Sequence, residues 1–348
     1  EQYRDYTNLQ VCYDQLEKES QKVEKGARYY DFQLNTRRGK CTIAHFQLRN
    51  LVWATTKHDI YVMNTGSVVH WSPIHRTATE VLNLRTSGQA RMQVSTMAVH
   101  KDLMVIGGFN GELVAKSLDS PDLAFTGRIA EDENAITNAI EISEDSSGTT
   151  RVLTSNNDSI VRSFDSNNFT CTSTFTFPWA VNYSSASPDR KLLCVVGDSK
   201  DGLLADSTSG QTIASLKGHL DFSFAAAWHP NGTLFATGNQ DATTRLWDMR
   251  MLKEALTVLK GQMGAARSLR FSNDGRFLAM AEAVDFIHIF DLNQKCQQCQ
   301  VIDLFGEVAG MSFSPDGEAF YIGTEENTYG SLLEFKRYNP GRYTNCLI

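Results

Sequence analysis

No stretch of this 348-residue sequence approaches the roughly 20 apolar residues that a membrane-spanning helix needs, and the N-terminus lacks the apolar core of a secretory signal. Basic residues are not in excess either, because the formal net charge is -7. A nucleic-acid-binding surface needs clustered Lys and Arg to neutralise phosphates. We therefore expect partners that are neither membranes nor nucleic acids.

Cysteine is also scarce, and its distribution excludes one class of protein. Seven cysteines, an odd number, are scattered over a chain that is too large to need disulfide bonds for its stability. This pattern predicts reduced thiols, and therefore a cytoplasmic or nuclear protein. Hydrophobic residues at 41% and aromatic residues at 10% are sufficient to fill a sizeable core, which excludes a chain that is disordered throughout.

The sequence does contain an internal repeat, and a fixed period of this kind decides the architecture. Four segments share a turn signature rich in Pro, Asn, Asp and Gly: Ser187-Pro188-Asp189, His229-Pro230-Asn231-Gly232, Ser272-Asn273-Asp274-Gly275 and Ser314-Pro315-Asp316-Gly317. Their second residues are separated by 42, 43 and 42 positions. Each unit has about four short strands of alternating or buried pattern, which is typical of a propeller blade and not of a helical repeat.

The number of blades follows from a strand end that recurs in every unit, a large residue followed by a polar one. The ends are Trp71-Ser72, Leu118-Asp119, Phe164-Asp165, Ala205-Asp206, Trp247-Asp248, Phe290-Asp291 and Phe335-Lys336. The turn signature supports the count over residues 181–336, and spacing alone supports it over residues 40–180. We predict an all-β fold, a seven-bladed β-propeller, with six or eight blades as the alternatives.

A propeller must be closed, because an open sheet edge invites pairing with other chains. The last unit supplies strands near Ala309-Phe313, Ala319-Gly323 and Leu332-Lys336 but lacks an outer strand. A strand-like segment, Tyr29 to Leu34, lies before the first full unit. We therefore predict that this N-terminal strand completes the last blade.

These features divide the chain into an N-terminal extension at residues 1–28, the propeller at residues 29–338 and a C-terminal tail at residues 339–348. The stretch from Leu9 to Lys25 has its apolar residues spread among many charges. This pattern predicts a short amphipathic helix outside the ring, with a disordered lead-in as the alternative.

Gly218-His219 followed by Trp247-Asp248 resembles a WD repeat, a family named for these dipeptides. In such repeats a His, an Asp in the tight turn, a Ser or Thr on the second strand and the Trp form a buried hydrogen-bonded chain. The resemblance assigns these roles to His219, Asp241, Thr237 and Trp247. Buried polar groups need their donors and acceptors paired, so we expect a structural tetrad. Catalysis by His219 with Asp241 is the alternative.

Two further resemblances narrow the function. The run from Ser199 to Phe335 is similar to a largely uncharacterised group of fungal and plant WD-repeat proteins. Residues 235–250 end in Trp-Asp-x-Arg, which resembles the box of WD-repeat substrate receptors in cullin-based ubiquitin ligases. That resemblance implies partner binding by Arg250 and Asp248, because the planar fork of an arginine gives bidentate contacts to an acidic partner. The alternative is an ordinary blade that ends this way by chance.

Cys296-Gln297-Gln298-Cys299 has the spacing of half a zinc site or of a redox pair. The chain contains no second Cys-x-x-Cys and no His-x-x-x-His to complete a zinc site. No βαβ setting is evident that would lower the pKa of a thiol. We therefore expect a surface loop between strands and no metal.

The sequence contains no G-x-S-x-G elbow, Walker loop, G-x-G-x-x-G or H-E-x-x-H. It therefore predicts no catalytic residues, no cofactor and a non-catalytic protein-interaction scaffold, with a ubiquitin-ligase substrate receptor as its specific form. A propeller enzyme is one alternative, although the strand starts near the axis are mainly small and apolar. A phosphoinositide-binding propeller is another, although its paired arginines on a late blade are missing.

Overall fold

The computed structural model describes residues 12–132, 134–144 and 148–339. These residues form five four-stranded sheets and one eight-stranded sheet. The eight-stranded sheet contains two blades, because its 16-residue strand Gln298–Phe313 pairs with one blade through its first half and with the next through its second half. Seven blades result, and the predicted all-β, seven-bladed propeller is confirmed.

Two strands precede the first blade, β1 (Glu24–Lys25) and β2 (Tyr30–Thr36). Blade 1 consists of β3 (Val52–Ala54), β4 (Ile60–Asn64), β5 (Ser67–Ser72) and β6 (Thr77–Asn83). Blade 2 consists of β7 (Val94–His100), β8 (Leu103–Gly108), β9 (Glu112–Ser117) and β10 (Leu123–Arg128). Blade 3 consists of β11 (Thr137–Glu144), β12 (Thr150–Asn156), β13 (Ile160–Asp165) and β14 (Cys171–Thr176).

The remaining blades follow the same order. Blade 4 consists of β15 (Val181–Ala186), β16 (Leu192–Gly197), β17 (Gly202–Asp206) and β18 (Thr212–Leu216). Blade 5 consists of β19 (Ser223–Trp228), β20 (Leu234–Asn239), β21 (Thr243–Asp248) and β22 (Thr257–Lys260). Blade 6 consists of β23 (Ala266–Phe271), β24 (Phe277–Glu282), β25 (Val284–Asp291) and the first half of β26 (Gln298–Phe313). Blade 7 consists of the second half of β26, β27 (Ala319–Glu325), β28 (Ser331–Arg337) and β2.

The hydrophobic core lies between neighbouring blades rather than at one centre. Trp247 on β21 is fully buried and belongs to a cluster that includes Tyr183 of blade 4 and Ala139 of blade 3. The first strands of neighbouring blades contact one another, so they line the central channel. Loops can therefore differ between blades while the apolar packing between sheets is kept.

The ring is closed by β2, which pairs antiparallel with β28 from Tyr30 opposite Arg337 to Thr36 opposite Leu332. Tyr30 is 1% exposed and lies against the rings of Phe277, Phe313 and Phe320. Its hydroxyl donates a 2.7 Å hydrogen bond to the carbonyl of Gly317. The predicted closure of the last blade by the N-terminal strand is confirmed.

Residues 12–28, which we call the clasp, cross the outer edges of blades 5 and 6. Residues 12–19 are helical, with Leu16 buried, whereas Leu9 lies outside the described residues. The amide of Gln21 donates to the carbonyl of Val258 on β22 at 2.9 Å, and β1 pairs in parallel with the start of β26. The clasp therefore covers strand edges that would otherwise be exposed.

One predicted strand end is wrong. The third strand of blade 2 ends at Ser117, before Leu118. Lys116 is paired with Met104 in the way that Trp247 is paired with Phe235, so a lysine occupies the tryptophan position of this blade. Lys116 is 6% exposed, and its ammonium donates to two carbonyl oxygens of the next loop. The aliphatic part of the side chain fills the core position, which a search for large apolar residues overlooks.

Candidate functional site

The antiparallel strands of each blade define two faces of the ring. The upper face is formed by the loops between second and third strands and by the loops that lead from each fourth strand to the next blade. The lower face is formed by the other loops. Any docking site must use one of these faces, the outer edges or the channel.

The four residues of the expected tetrad meet in blade 5. His219 Nδ1 lies 3.1 Å from Asp241 Oδ2, and His219 Nε2 lies 2.9 Å from Thr237 Oγ1. The indole N–H of Trp247 donates to the same Thr237 oxygen at 2.9 Å. Burial by itself raises the pKa of Asp241, but hydrogen bonds from His219, Thr243 and the Leu220 amide outweigh it and lower that pKa. Asp241 is therefore a carboxylate that accepts from the imidazole.

Blade 6 has a different buried pair at the corresponding place, which the sequence analysis missed. Glu282 ends β24, is 0% exposed and lies 2.7 Å from His288 Nε2 on β25. The same carboxylate accepts the backbone N–H groups of residues 262–264, which lead into the blade. The available sequence signal was a Glu at the end of a buried apolar strand.

Exposed large apolar side chains are concentrated on one half of the upper face. They lie at the upper edge of four consecutive blades, 5, 6, 7 and 1, in loops or, for Val284 and Phe305, in strands, and their exposure ranges from 42% to 84%. We call these six residues the apolar arc: Phe222, Met263, Val284, Phe305, Tyr329 and Phe46. Phe305 and Tyr329 are in edge-to-face contact at 6.0 Å.

The channel is more highly charged than the sequence suggests. Glu141 lies on β11, and Arg267 and Arg270 lie on β23, so the expectation of mainly small and apolar residues near the axis is wrong at these positions. Arg270 donates to Asn50 Oδ1 at 2.9 Å and to the Tyr183 hydroxyl at 3.4 Å. These partners lie two blades away on either side, so Arg270 crosses the axis.

Glu141 also faces this charged channel. It accepts a 2.8 Å hydrogen bond from the Ala186 amide. Burial raises the pKa of Glu141 to about 7, against the opposing effects of this hydrogen bond and of Arg270. Glu141 is therefore a buried carboxylate that faces the positive charge of Arg270.

On the lower face, Arg250 lies in the loop after β21. Its side chain is 79% exposed. Its guanidinium forms a bidentate ion pair with Asp248, in which Nη2 lies 2.6 Å from Oδ2 and Nε lies 2.9 Å from Oδ1. Hydrogen bonds from Arg250 lower the pKa of Asp248 to about 2. Met251 and Leu256 in the same loop are 54% and 53% exposed.

The family model for "WD domain, G-beta repeat" matches residues 210–248, the segment that contains the whole tetrad. This segment of the chain is therefore similar to a WD repeat. Blade 5 carries the characteristic dipeptides, while blade 6 has Glu282 and His288 in place of the tetrad.

Named relatives match this chain in part. The guanine nucleotide-binding protein subunit beta-5b of Danio rerio is 35% identical over 105 residues, 29% of this chain and 26% of that protein. Pre-mRNA-processing factor 19 homolog 2 of Arabidopsis thaliana is 29% identical over 121 residues, 34% of this chain and 22% of that protein. The serine-threonine kinase receptor-associated protein of Rattus norvegicus is 33% identical over 73 residues, 21% of each protein. The matches thus span about a quarter or less of each relative.

The fold of the ring is also found in a solved structure, "Crystal Structure of Mitotic Checkpoint Complex". One of its chains superimposes with a TM-score of 0.71 at 14% sequence identity, over 92% of this chain and 96% of that chain. At this identity the similarity shows the fold alone.

The expectation that Cys296 and Cys299 occupy a surface loop is wrong. Both thiols are 1% exposed and lie in the core of blade 6 with Phe290. Lys295 and Cys296 have φ angles of 51° and 57°, which turn the chain back so that Cys296 points inward. Burial raises the pKa of each thiol to about 12, so both are protonated at neutral pH and unreactive.

Three observations limit the chemistry of the propeller. Both ring nitrogens of His219 are hydrogen-bonded and its side chain is 2% exposed, so it cannot act on a substrate. Within the described ranges, no group of three or more His, Cys, Asp or Glu could hold a metal ion. No helix in the same part of the chain is long and apolar enough to cross a membrane.

Proposed function

We propose that this chain is a non-catalytic protein-interaction scaffold, and that the apolar arc is its docking surface. The observation that carries the proposal is the concentration of six exposed apolar side chains on one half of one face. Exposed apolar patches rimmed by polar residues are typical of interaction sites. The rigid blades hold these loops in place, so that binding specificity can reside in the loops.

The proposed partners are other proteins, rather than nucleic acids or membranes. Two relatives support this, since one is named a protein subunit and another a receptor-associated protein. The cysteines in the described part of the chain are free, which supports a cytoplasmic or nuclear location. The fungal and plant grouping remains a prediction.

We also propose a structural role for His219, Asp241, Thr237 and Trp247, together with the domain limits predicted from the sequence. The tetrad ties the loop that enters blade 5 to the turn at Asp241 and to two strands of the blade. Its polar atoms satisfy one another inside the core, which is the condition for burying them.

The double variant Met263→Glu/Phe305→Glu tests the docking surface. These side chains are 84% and 68% exposed, so charge at these positions should not unfold the ring. Losing two apolar anchors should reduce partner recovery by about 10-fold or more, because interface hot spots contribute about 2 kcal/mol or more each. Quantitative affinity purification from native extract, with melting temperature as the folding check, measures the effect.

Ile213→Glu is the matched control for this test. Ile213 is 56% exposed on β18, away from the apolar arc. The control should retain the partners. A wild-type protein that is recovered as a monomer without enriched partners, or a double variant that keeps them all, would contradict the proposal.

The lower face supports a more specific proposal, that Arg250 and Asp248 bind a ubiquitin-ligase adaptor. Asp248 holds the exposed guanidinium in one orientation, which reduces the entropy lost on binding. Met251 and Leu256 add exposed apolar surface in the same loop. An oriented cation beside apolar side chains is suited to an acidic partner segment.

Arg250→Ala is expected to release that adaptor without unfolding the ring. An arginine hot spot is worth about 2 kcal/mol, so adaptor binding should weaken by about 30-fold. Lys253→Ala, which removes another exposed cation from the same loop, should leave binding unchanged. Binding assays with purified adaptor and thermal melting check both variants, and undiminished binding by Arg250→Ala would exclude this role.

A further inference from the structure

Arg267, at the upper end of the channel, is a buried cation that has no ion-pair partner among the described residues. It is 8% exposed, its guanidinium lies 3.8 Å from the centre of the Phe224 ring, and Nη2 donates to Gln240 at 2.6 Å. Its Nε and Nη1 have no hydrogen-bond partner in the described part of the chain. No described carboxylate lies within ion-pairing distance, and Asp221 acts on it only from farther away.

A second buried arginine increases the local positive charge. Arg49, in the loop that enters blade 1, is 2% exposed and pairs with the half-exposed Glu307 at 2.6 Å, yet its Nε is also without a partner. Burial and the charge of Arg49 lower the pKa of Arg267 to about 10. Burial and both arginines also lower the pKa of His45. The two guanidinium groups therefore act on the same small region.

In other blades, the residue at the position of Arg267 makes a hydrogen bond between blades. Arg267 lies in a β-bulge at the second residue of the inner strand, and the inner strands of blades 2, 3 and 4 have the same bulge. There the bulged side chain donates to a backbone carbonyl of the next blade, from Ser95, Asn138 and Asn182. Arg267 makes no such bond to the next blade. It contacts Gln240 and Phe224 of the preceding blade instead, and these contacts leave its Nε and Nη1 unpaired among the described residues.

Arg270 lies three residues after Arg267 on the same strand, β23, and adds a further unpaired donor. Its Nε has no partner, although its other nitrogens bond to Asn50 and Tyr183. Four nitrogen atoms without a hydrogen-bond partner in the described part of the chain thus belong to Arg267, Arg49 and Arg270. Buried donors and unpaired buried charge are both unfavourable, and a bound anion would satisfy them together.

We propose that the upper mouth of the channel is an oxyanion-binding site in which Arg267 binds the anion directly and Arg49 and Arg270 add positive charge. The ligand is a phosphate or carboxylate group, for which a guanidinium fork has matching geometry. The group comes either from a free anion or from an acidic peptide on the upper face. This site does not depend on the apolar arc being used for docking.

Isothermal titration calorimetry of the full chain at constant ionic strength tests the site with two probes, inorganic phosphate and a tetraglutamate peptide. The expected result is saturable binding of either probe to wild-type protein, with an affinity that is at least 10-fold weaker in Arg267→Gln. Binding of phosphate alone identifies a free anion or phosphate group as the ligand, and binding of the peptide alone identifies a carboxylate. Failure of both probes to bind wild-type protein would overturn the proposal.

Two controls separate a binding site from nonspecific attraction and from loss of folding. Arg91→Gln removes one exposed charge from the same face and should leave probe binding unchanged. Without probe, Arg267→Gln should melt at the same temperature as wild type or higher, because it removes an unpaired buried charge. A lower melting temperature without probe would assign Arg267 a structural role, and equal probe binding by Arg267→Gln would overturn the proposal.

Discussion

A chain that begins at residue 37 is expected to lose its cooperative unfolding transition and to aggregate, whereas a chain that begins at residue 29 is expected to fold. The longer deletion removes β2, leaves β28 with an unpaired edge and empties the space filled by Tyr30. Loss of a buried aromatic side chain costs about 3–5 kcal/mol by itself. Domains are stable by only about 5–15 kcal/mol, so losing the whole strand should exceed what the ring can tolerate.

Comparing the two deletions separates ring closure from the contacts of the clasp. The shorter deletion keeps β2 but removes the clasp. The exposed ion pair of Glu17 with Lys260 contributes little, and the buried Arg245, which loses Glu19, keeps its hydrogen bond to the Gly218 carbonyl. Urea unfolding followed by tryptophan fluorescence, with size-exclusion chromatography, measures both chains. A chain of residues 37–348 that unfolds at the same urea concentration as the full chain would show that the ring closes without β2.

The variant Glu282→Ala is expected to destabilise the ring by about 3–5 kcal/mol, because a buried donor left unpaired costs about 1–3 kcal/mol. The substitution removes the acceptor for three backbone N–H groups of residues 262–264 and for the His288 imidazole. Chemical denaturation at pH 7 measures the change. Glu254→Ala, an exposed carboxylate on the lower face, should change stability by less than about 0.5 kcal/mol.

The same residue should make the ring sensitive to acid. Burial by itself raises the pKa of Glu282, but hydrogen bonds from His288 and the backbone of residues 262–264 outweigh it and lower that pKa. The unfolded chain therefore takes up this proton at a higher pH than the folded chain does. The stabilisation is complete above the ordinary Glu pKa of about 4.3 and is lost as the pH falls through the lower, folded-state value.

Glu282→Gln isolates this effect. The amide keeps one acceptor but cannot titrate. The stability of the variant protein relative to wild type should therefore improve as the pH falls from 7 towards 3. Urea midpoints at several pH values in this range measure the difference. A constant difference between the two proteins across the range would show that Glu282 does not carry the acid dependence.

The blades and their closure could be predicted because their signals are local. Strand alternation and turn residues are properties of neighbouring positions, and their recurrence about every 42 residues marks each blade. The strand pattern is present even in blade 2, where Lys116 replaces an aromatic residue. The tetrad residues could also be named, since the family pattern lies within residues 210–248. The error at Cys296 and Cys299 has a different origin. Their spacing says nothing about which way the backbone turns, and two residues with positive φ turn it inward.

The sequence by itself determined the repeat, the number of blades, the closing strand and the exposed loop that carries Arg250. Only the tertiary structure decided which loops share a face and which charges meet at the axis. Arg270 and Asn50 are 220 residues apart in the chain, and they meet because the ring closes. Charge at a channel position has no periodic signature, since blade 6 contributes Arg267 and Arg270 from its inner strand and blade 3 contributes Glu141. The apolar arc and the arginine cluster therefore become visible once seven blades are arranged around one axis.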